Sequence, residues 1–269
     1  MDRLPTLFIP HGGGPCFFMK WAMGPRDTWE PLRRFLQRLG HRFANTAAIL
    51  VVSAHWEEPT VSIQAQASPD LLFDYYGFPQ HTYRLKWPAP GAPELAVRAQ
   101  ELLRGGGIRC RMEVQRGFDH GVFVPMKVAF PRATIPTFQV SLRSDLDVRA
   151  HLEVGRALQP LRDQGVLIVG SGMSFHNADQ MKNGSAGASS HAFDCFLNDA
   201  CCSAPRDRDD LLTRWREAAS ADEAHPRSEH LLPLMVAAGA AGDCLGHCIF
   251  SESMMSATIS AYQFGGTAP

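Results

Sequence analysis

Three short apolar blocks constrain this chain more than any other feature. Thr6–Pro10 (TLFIP), Ala47–Ala54 (AAILVVSA) and Val166–Gly170 (VLIVG) are rich in aliphatic and β-branched residues and do not alternate with polar ones. That pattern belongs to strands buried on both faces, in a sheet covered by helices on each side. Four amphipathic stretches can supply the covers: Thr28–Gly40, Pro93–Gly105, Asp145–Gln164 and Ser228–Ala241. Thr28, Asp145 and Ser228 stand where helices start, and Gly40, Gly105 and Gly165 where they stop. Further strands are expected at Thr60–Ala65, Cys110–Val114, Pro136–Leu142 and Thr258–Phe264. Strands alternating with helices predict an α/β fold with a central, largely parallel sheet flanked by helices. No repeat or linker divides the sequence, so residues 1–269 are read as one domain.

Charge and cysteine usage narrow the partners. With 26 Lys and Arg against 27 Asp and Glu, the formal net charge is −1, which removes the electrostatic case for nucleic acid. No apolar run approaches the roughly 20 residues of a membrane span. The opening Met1–Pro10 lacks the basic-then-apolar pattern of a signal peptide. A cytoplasmic protein without membrane or nucleic-acid partners is expected, with a homo-oligomer left open. Seven cysteines, an odd number, argue against a disulfide framework. Cys244 and Cys248 flank His247, but their spacing matches no common zinc knuckle and no second pair accompanies them. They are read as ordinary thiols.

Two stretches look irregular. Met181–Ser190 (MKNGSAGASS) reads as a mobile surface loop. Phe73–Gly91 carries Tyr75, Tyr76, Phe78, Tyr83 and Trp87, side chains costly to leave exposed, and reads as a lid or pocket wall.

Histidines mark the ends of the apolar blocks. The first runs into Pro10-His11-Gly12-Gly13-Gly14-Pro15 and the second into Ser53-Ala54-His55-Trp56. Either alone fits a structural or capping role, yet both occupy the strand end where α/β sheets bind ligands. The third block breaks at Gly170-Ser171-Gly172, with His176-Asn177 a few residues beyond. Its spacing is wrong for the GxSxG nucleophile elbow. His120 lies in Gly117-Phe118-Asp119-His120-Gly121, just before a predicted helix carrying Pro125. Asp119 there reads as a salt-bridge partner, an N-cap or an orienter of a histidine. In His225-Pro226-Arg227-Ser228-Glu229-His230, neither HExxH nor HxxEH is present. If Ser228 caps a helix, Glu229 and His230 diverge by about 100°, so only one of them points at a given metal. Glu229 then serves the helix N-terminus or supports the metal site from behind. Several imidazoles converging from different elements are best explained by a divalent transition metal, with unrelated loop histidines as the bland alternative.

These blocks carry a resemblance. Together with Tyr76-Gly77-Phe78-Pro79, Pro88-Ala89-Pro90-Gly91 and Glu229-His230-Leu231, they resemble class III extradiol ring-cleaving dioxygenases, closest to the DOPA 4,5-dioxygenase-like subgroup. The match runs in order from about residue 4 to 264. The resemblance implies an α/β fold with a metal at one rim of the sheet. It makes His11, His55 and His230 metal ligands, and His176 either a further ligand or an acid/base beside the metal. His120 becomes a pocket histidine near substrate and oxygen. The implied substrates are a catechol-type aromatic and O₂. Non-heme Fe(II) is expected for activity, with Zn(II) possible in isolated protein. Many class III relatives use a carboxylate as third ligand where this sequence offers His230.

The chemistry can be argued beside the resemblance. A catechol needs two adjacent coordination positions and O₂ a third; three protein ligands on an octahedral ion leave three open. His176 is the expected base for a hydroxyl proton and His120 the group that positions or protonates oxygen. The rival is a zinc hydrolase whose three histidines hold a water of pKa about 7. A binding protein with a vestigial site is the non-catalytic reading. The aromatic stretch Phe73–Trp87 is expected to cover the ring, with His81, Arg84 and Lys86 able to meet a carboxylate on its substituent.

Overall fold

The computed structural model describes residues 3–266; Met1, Asp2 and residues 267–269 of the expected 1–269 unit lie outside the described residues. The strands are β1 (Thr6–Pro10), β2 (Ala48–Glu58), β3 (Val61–Gln64), β4 (Cys110–Glu113), β5 (Thr137–Arg143), β6 (Val166–Gly172), β7 (Gly246–Met254) and β8 (Ala257–Phe264). They form one sheet in the order β4-β3-β5-β2-β6-β1-β8-β7. The four central strands β5, β2, β6 and β1 run parallel, and β3 and β8 flank them antiparallel. The three apolar blocks supply β1, β2 and β6, and their Leu, Ile and Val side chains are fully buried. The expected α/β architecture is the observed one.

The helices are α1 (Glu30–Arg42), α2 (Pro93–Gly105), α3 (His120–Ala129), α4 (Val148–Leu158), α5 (Ala178–Asn183), α6 (Gly187–Cys202), α7 (Pro205–Thr213), α8 (Ala221–Ala224) and α9 (Leu232–Ala241). α9 packs on β6 and β1 beneath α4, while α3 packs on β2 and β6 and carries α1 against it. Every residue of α9 is buried, as a helix apolar on all sides must be. No helix among the described residues is long and apolar enough to cross a membrane.

The Gly170-Ser171-Gly172 end of β6 shows why those residue types stand there. A Cβ on Gly170 would lie 2.2 Å from the Pro233 carbonyl oxygen, and one on Gly172 would lie 2.1 Å from that of His230. Only glycine lets the chain entering α9 come this close. Ser171 points the other way and donates its hydroxyl to the Gly121 carbonyl. That carbonyl sits four residues before Pro125, which has no N–H to give it. Ser171 thus completes the first turn of α3.

Several expected boundaries move. The α4 N-cap is Asp147, whose carboxylate accepts from the Ala150 N–H, while Asp145 pairs with Arg143. α9 begins at Leu232 rather than Ser228, because Ser228–Leu231 form a turn whose Ser228 carbonyl accepts from Leu231 and Leu232. β2 extends to Glu58, so His55 lies inside the strand. The Met181–Ser190 stretch is largely helical instead of a mobile loop. Asn177 caps α5, Gly184 ends it in the left-handed region, and Met181, Ala186 and Ser190 are buried.

Candidate metal centre

Five of the histidines singled out from the sequence meet at the carboxyl ends of β1, β2 and β6. His11 leaves β1 directly, and its backbone N–H donates to the Gly172 carbonyl of β6. His55 sits where the β2–β5 pairing shifts register between Val52 and Glu57, an irregularity of the kind that re-aims a side chain. His120 is the first residue of α3. His230 lies in the turn before α9, fixed by its carbonyl accepting from the Met173 N–H at 3.0 Å. His176 follows β6, its N–H donating to the Ala224 carbonyl.

The donor atoms fall into two groups among the described residues: His11, His55 and His120, and His176, Glu229 and His230, each within 4.8 Å. The rings bridge them. The His11, His55 and His230 centroids are 4.8, 5.2 and 4.9 Å apart pairwise. His120 leans on His55 at 3.8 Å, and His176 stacks on His230 at 3.4 Å with 14° between planes.

Carboxylates and carbonyls fix the tautomers. His11 Nδ1 donates to the Gly12 carbonyl at 2.8 Å, and His230 Nδ1 donates to Glu229 at 2.8 Å. Both therefore carry their lone pair on Nε2. The His230 Nε2 is buried with no partner. Nε2 of His11 and Nε2 of His55 face each other at 3.3 Å. Burial first, then the neighbouring imidazoles, hold the pKa of His11, His55 and His230 well below the ordinary histidine value. The same causes lower His176 to about 4. Neutral imidazoles gathered at one rim, with the Nε2 atoms of His11 and His55 3.3 Å apart, fit a divalent cation. Two nitrogens on a tetrahedral ion at roughly 2.0–2.1 Å lie about 3.3 Å apart.

Behind the imidazoles stand acids. Glu229 also pairs with Arg227 at 3.2 Å, so of its two expected roles the one supporting His230 is observed. Asp74 was not anticipated from the sequence. It accepts from both the backbone N–H and Nδ1 of His120, at 2.9 and 2.8 Å, and lies 3.9 Å from His55 Nδ1. Burial alone would raise the Asp74 carboxyl, but its bonds to His120 outweigh this and hold it low. The one signal was an acid set between Phe73 and Tyr75, where burial demands a partner. Asp119 proves to be a salt-bridge partner of Arg116 that also accepts from Ser53, and its side chain caps nothing. His225 is structural, donating to the Ser174 carbonyl beside Phe193 and Trp215.

The aromatic stretch is only partly at the site. Tyr75 packs 5.8 Å from His120, and Phe78 reaches Gly14. Trp87 is instead core, donating to the Phe130 carbonyl. Lys86 lines a separate surface hollow with Pro69 and Leu71, and His81 Nε2 bonds the Phe18 carbonyl. Cys244, His247 and Cys248 form no metal-spaced group among the described residues.

This geometry has relatives. Residues 5–265 match the family described as the catalytic LigB subunit of aromatic ring-opening dioxygenase. A 4,5-DOPA dioxygenase extradiol of Beta vulgaris is 38% identical, covering 88% of this chain and 87% of that protein. A dioxygenase of Hapsidospora irregularis is 35% identical over 99% of this chain and 87% of its own length. A crystal structure of an uncharacterized protein from Escherichia coli K12 superposes with a TM-score of 0.78 at 29% identity, over 98% of this chain and all of that one. The chain belongs to the class III extradiol ring-opening dioxygenases. Within that class it is DOPA dioxygenase-like, an oxidoreductase rather than the zinc hydrolase weighed above.

Proposed function

We propose that the chain opens the ring of a catechol-type aromatic with O₂ at a divalent metal held by His11, His55 and His230. The observation that carries this reading is the buried, unpartnered Nε2 of His230, in a ring 5.2 Å from that of His11 and 4.9 Å from that of His55. Fe(II) is the ion for turnover, and Zn(II) fits the same donors without supporting it. When bound, the metal brings the catechol oxygens and O₂ into adjacent positions.

The chain's own groups do the rest. Gly12 and Glu229 hold the Nδ1 protons of His11 and His230, keeping both rings aimed. His176 acts as a base instead of a fourth ligand. An imidazole lone pair lies in the ring plane, so two rings stacked at 3.4 Å do not both aim at one ion. His176 is neutral and half-buried, ready to take a hydroxyl proton. His120, its Nδ1 tied to Asp74, presents Nε2 to the substrate side.

The test is anaerobic Fe(II) loading, addition of a catechol panel, then O₂. One equivalent of O₂ consumed per ring-opened product supports the reading. Turnover of esters or phosphate esters with zinc, and none of catechols with iron, overturns it.

A further inference from the structure

β2 leaves its ladders just before it delivers His55. Its pairing with β6 ends at Ser53 and Ser171, and its pairing with β5 breaks after Val52 and resumes at Glu57. His55 falls in the gap, so its main-chain groups must find other partners. Side chains serve them. The His55 N–H donates to Ser53 Oγ at 3.2 Å, and its carbonyl accepts from Arg116 Nη2 at 2.9 Å. Both side chains end on one carboxylate. Ser53 Oγ donates to Asp119 Oδ1 at 2.6 Å, and Arg116 Nη2 donates to Asp119 Oδ2 at 3.2 Å.

The surroundings hold this clamp closed. Arg116 lies over the Trp56 ring at 5.1 Å, and its carbonyl accepts from the Gln64 side chain. A Cβ on Gly121 would lie 2.3 Å from Ser53 Oγ and 2.9 Å from His55 Cδ2. Glycine there lets the first turn of α3 close on β2. Asp119 itself is fully buried, and a buried ion pair adds little stability over an apolar pair of the same volume. What two fixed acceptors do supply is a defined place for the groups bonded to them. His55 has need of one. The rings of His11 and His230 are aimed by hydrogen bonds from Nδ1, whereas Nδ1 of His55 is 3.9 Å from Asp74, beyond hydrogen-bonding distance.

Resting on the assignment of His55 as a metal ligand, we propose that Asp119 is a positioning residue for it. Through Ser53 and Arg116 the carboxylate holds both polar groups of the His55 main chain, and so sets where that imidazole stands against those of His11 and His230. Its neighbour in sequence, His120, has its ring 3.8 Å from that of His55. The same carboxylate thus ties the ligand on β2 to the pocket histidine on α3.

The test reads metal binding rather than turnover. Metal-free protein is titrated with Co(II) against a competing chelator, and the visible absorption of the bound ion reports its donor set. Asp119→Asn keeps the volume but turns an amide N–H toward Ser53 or Arg116. Its Co(II) affinity should fall about 10- to 100-fold, the scale for groups behind a ligand, and its spectrum should shift toward that of His55→Ala. Ser53→Ala leaves the Arg116–Asp119 pair in place and should lose about tenfold; it decides the matter if Asp119→Asn does not fold. Ser171→Ala is the control, because it loosens the same turn of α3 without touching the His55 main chain, and it should bind Co(II) like the parent. Parent affinity and spectrum in folded Asp119→Asn, or in Ser53→Ala where that variant must decide, overturn the proposal even if the melting temperature drops, since Asp119 would then serve the fold alone. An equal loss in Ser171→Ala overturns it as well. Either result, with affinity still lost in His55→Ala, leaves the ligand assignment standing. Parent affinity in His55→Ala removes His55 from the ligand set and overturns both.

Discussion

At its amino end α9 receives His230 beside Gly172, on the carboxyl rim of the sheet. At its other end it meets two arginines, each only 1% exposed. Arg162 donates to the carbonyls of Leu4, Ala240 and Ala241, and Arg208 to those of Gly242 and Cys244. Both ends bury strongly polar groups, yet they are finished differently. The arginine end spends its donors on carbonyls that the closing turn of α9 leaves unpaired, with the helix dipole adding negative potential. The histidine end keeps a lone pair without a partner. Saturation marks the end that holds the fold together, and the unpaired imidazole nitrogen marks the end proposed to hold the metal.

The sharpest way to break this contrast is at His230. His230→Ala should lose bound metal and at least about 10³-fold in turnover, beyond the 10–100-fold typical of groups behind a ligand. Its melting temperature without metal should hold or rise, because an unpaired buried polar atom is gone. Full metal occupancy in the variant, by elemental analysis, would mean the ligand is another residue. Arg162→Met should do the opposite. It keeps the volume but strands three carbonyls, costing about 3 kcal/mol in urea unfolding. Turnover per folded molecule should stay at the parent level at low temperature. A stable Arg162→Met would show that water serves those carbonyls as well.

A smaller effect is expected one layer back. Asp74→Asn keeps an acceptor for the His120 backbone N–H but weakens its hold on Nδ1. Turnover should fall about 10- to 100-fold with metal content unchanged. Loss of metal instead would mean that Asp74 acts through His55.

The contrast also explains what could be read from the sequence. His11, His55 and His176 were legible because each follows an apolar block, and strand ends in a parallel sheet share one rim. His230 and Glu229 were left as an undecided pair by the residues alone, and only the family resemblance picked His230 as the ligand. Asp74 was not legible, since it reaches the site from an aromatic stretch far from any strand end. Its partner, His120, is fixed only by the tertiary fold. The arginine cluster was invisible for the same reason. Arg162 looks like a surface residue of an amphipathic helix, and only the return of α9 buries it. The Met181–Ser190 stretch misled because its glycines and serines, loop formers in isolation, here cap and start helices packed on the sheet.

Ser171 gives the finest test, because it stands at the chemical rim yet is finished like the arginine end. It follows an apolar strand between two glycines, where a hydrolase would place a nucleophile, but its hydroxyl is committed to the Gly121 carbonyl that Pro125 cannot serve. Ser171→Ala removes that donor and leaves one buried carbonyl short, a loss of about 1 kcal/mol. For a chain of this size that lowers the melting temperature by about 2–4 °C. Ring-opening turnover should fall less than about threefold, since α3 stays anchored by the Asp74 and Asp119 contacts around His120. A variant that melts like the parent but has lost turnover would put the hydroxyl in the chemistry, and the boundary between the saturated and unfilled ends would then have to be drawn one residue further along β6.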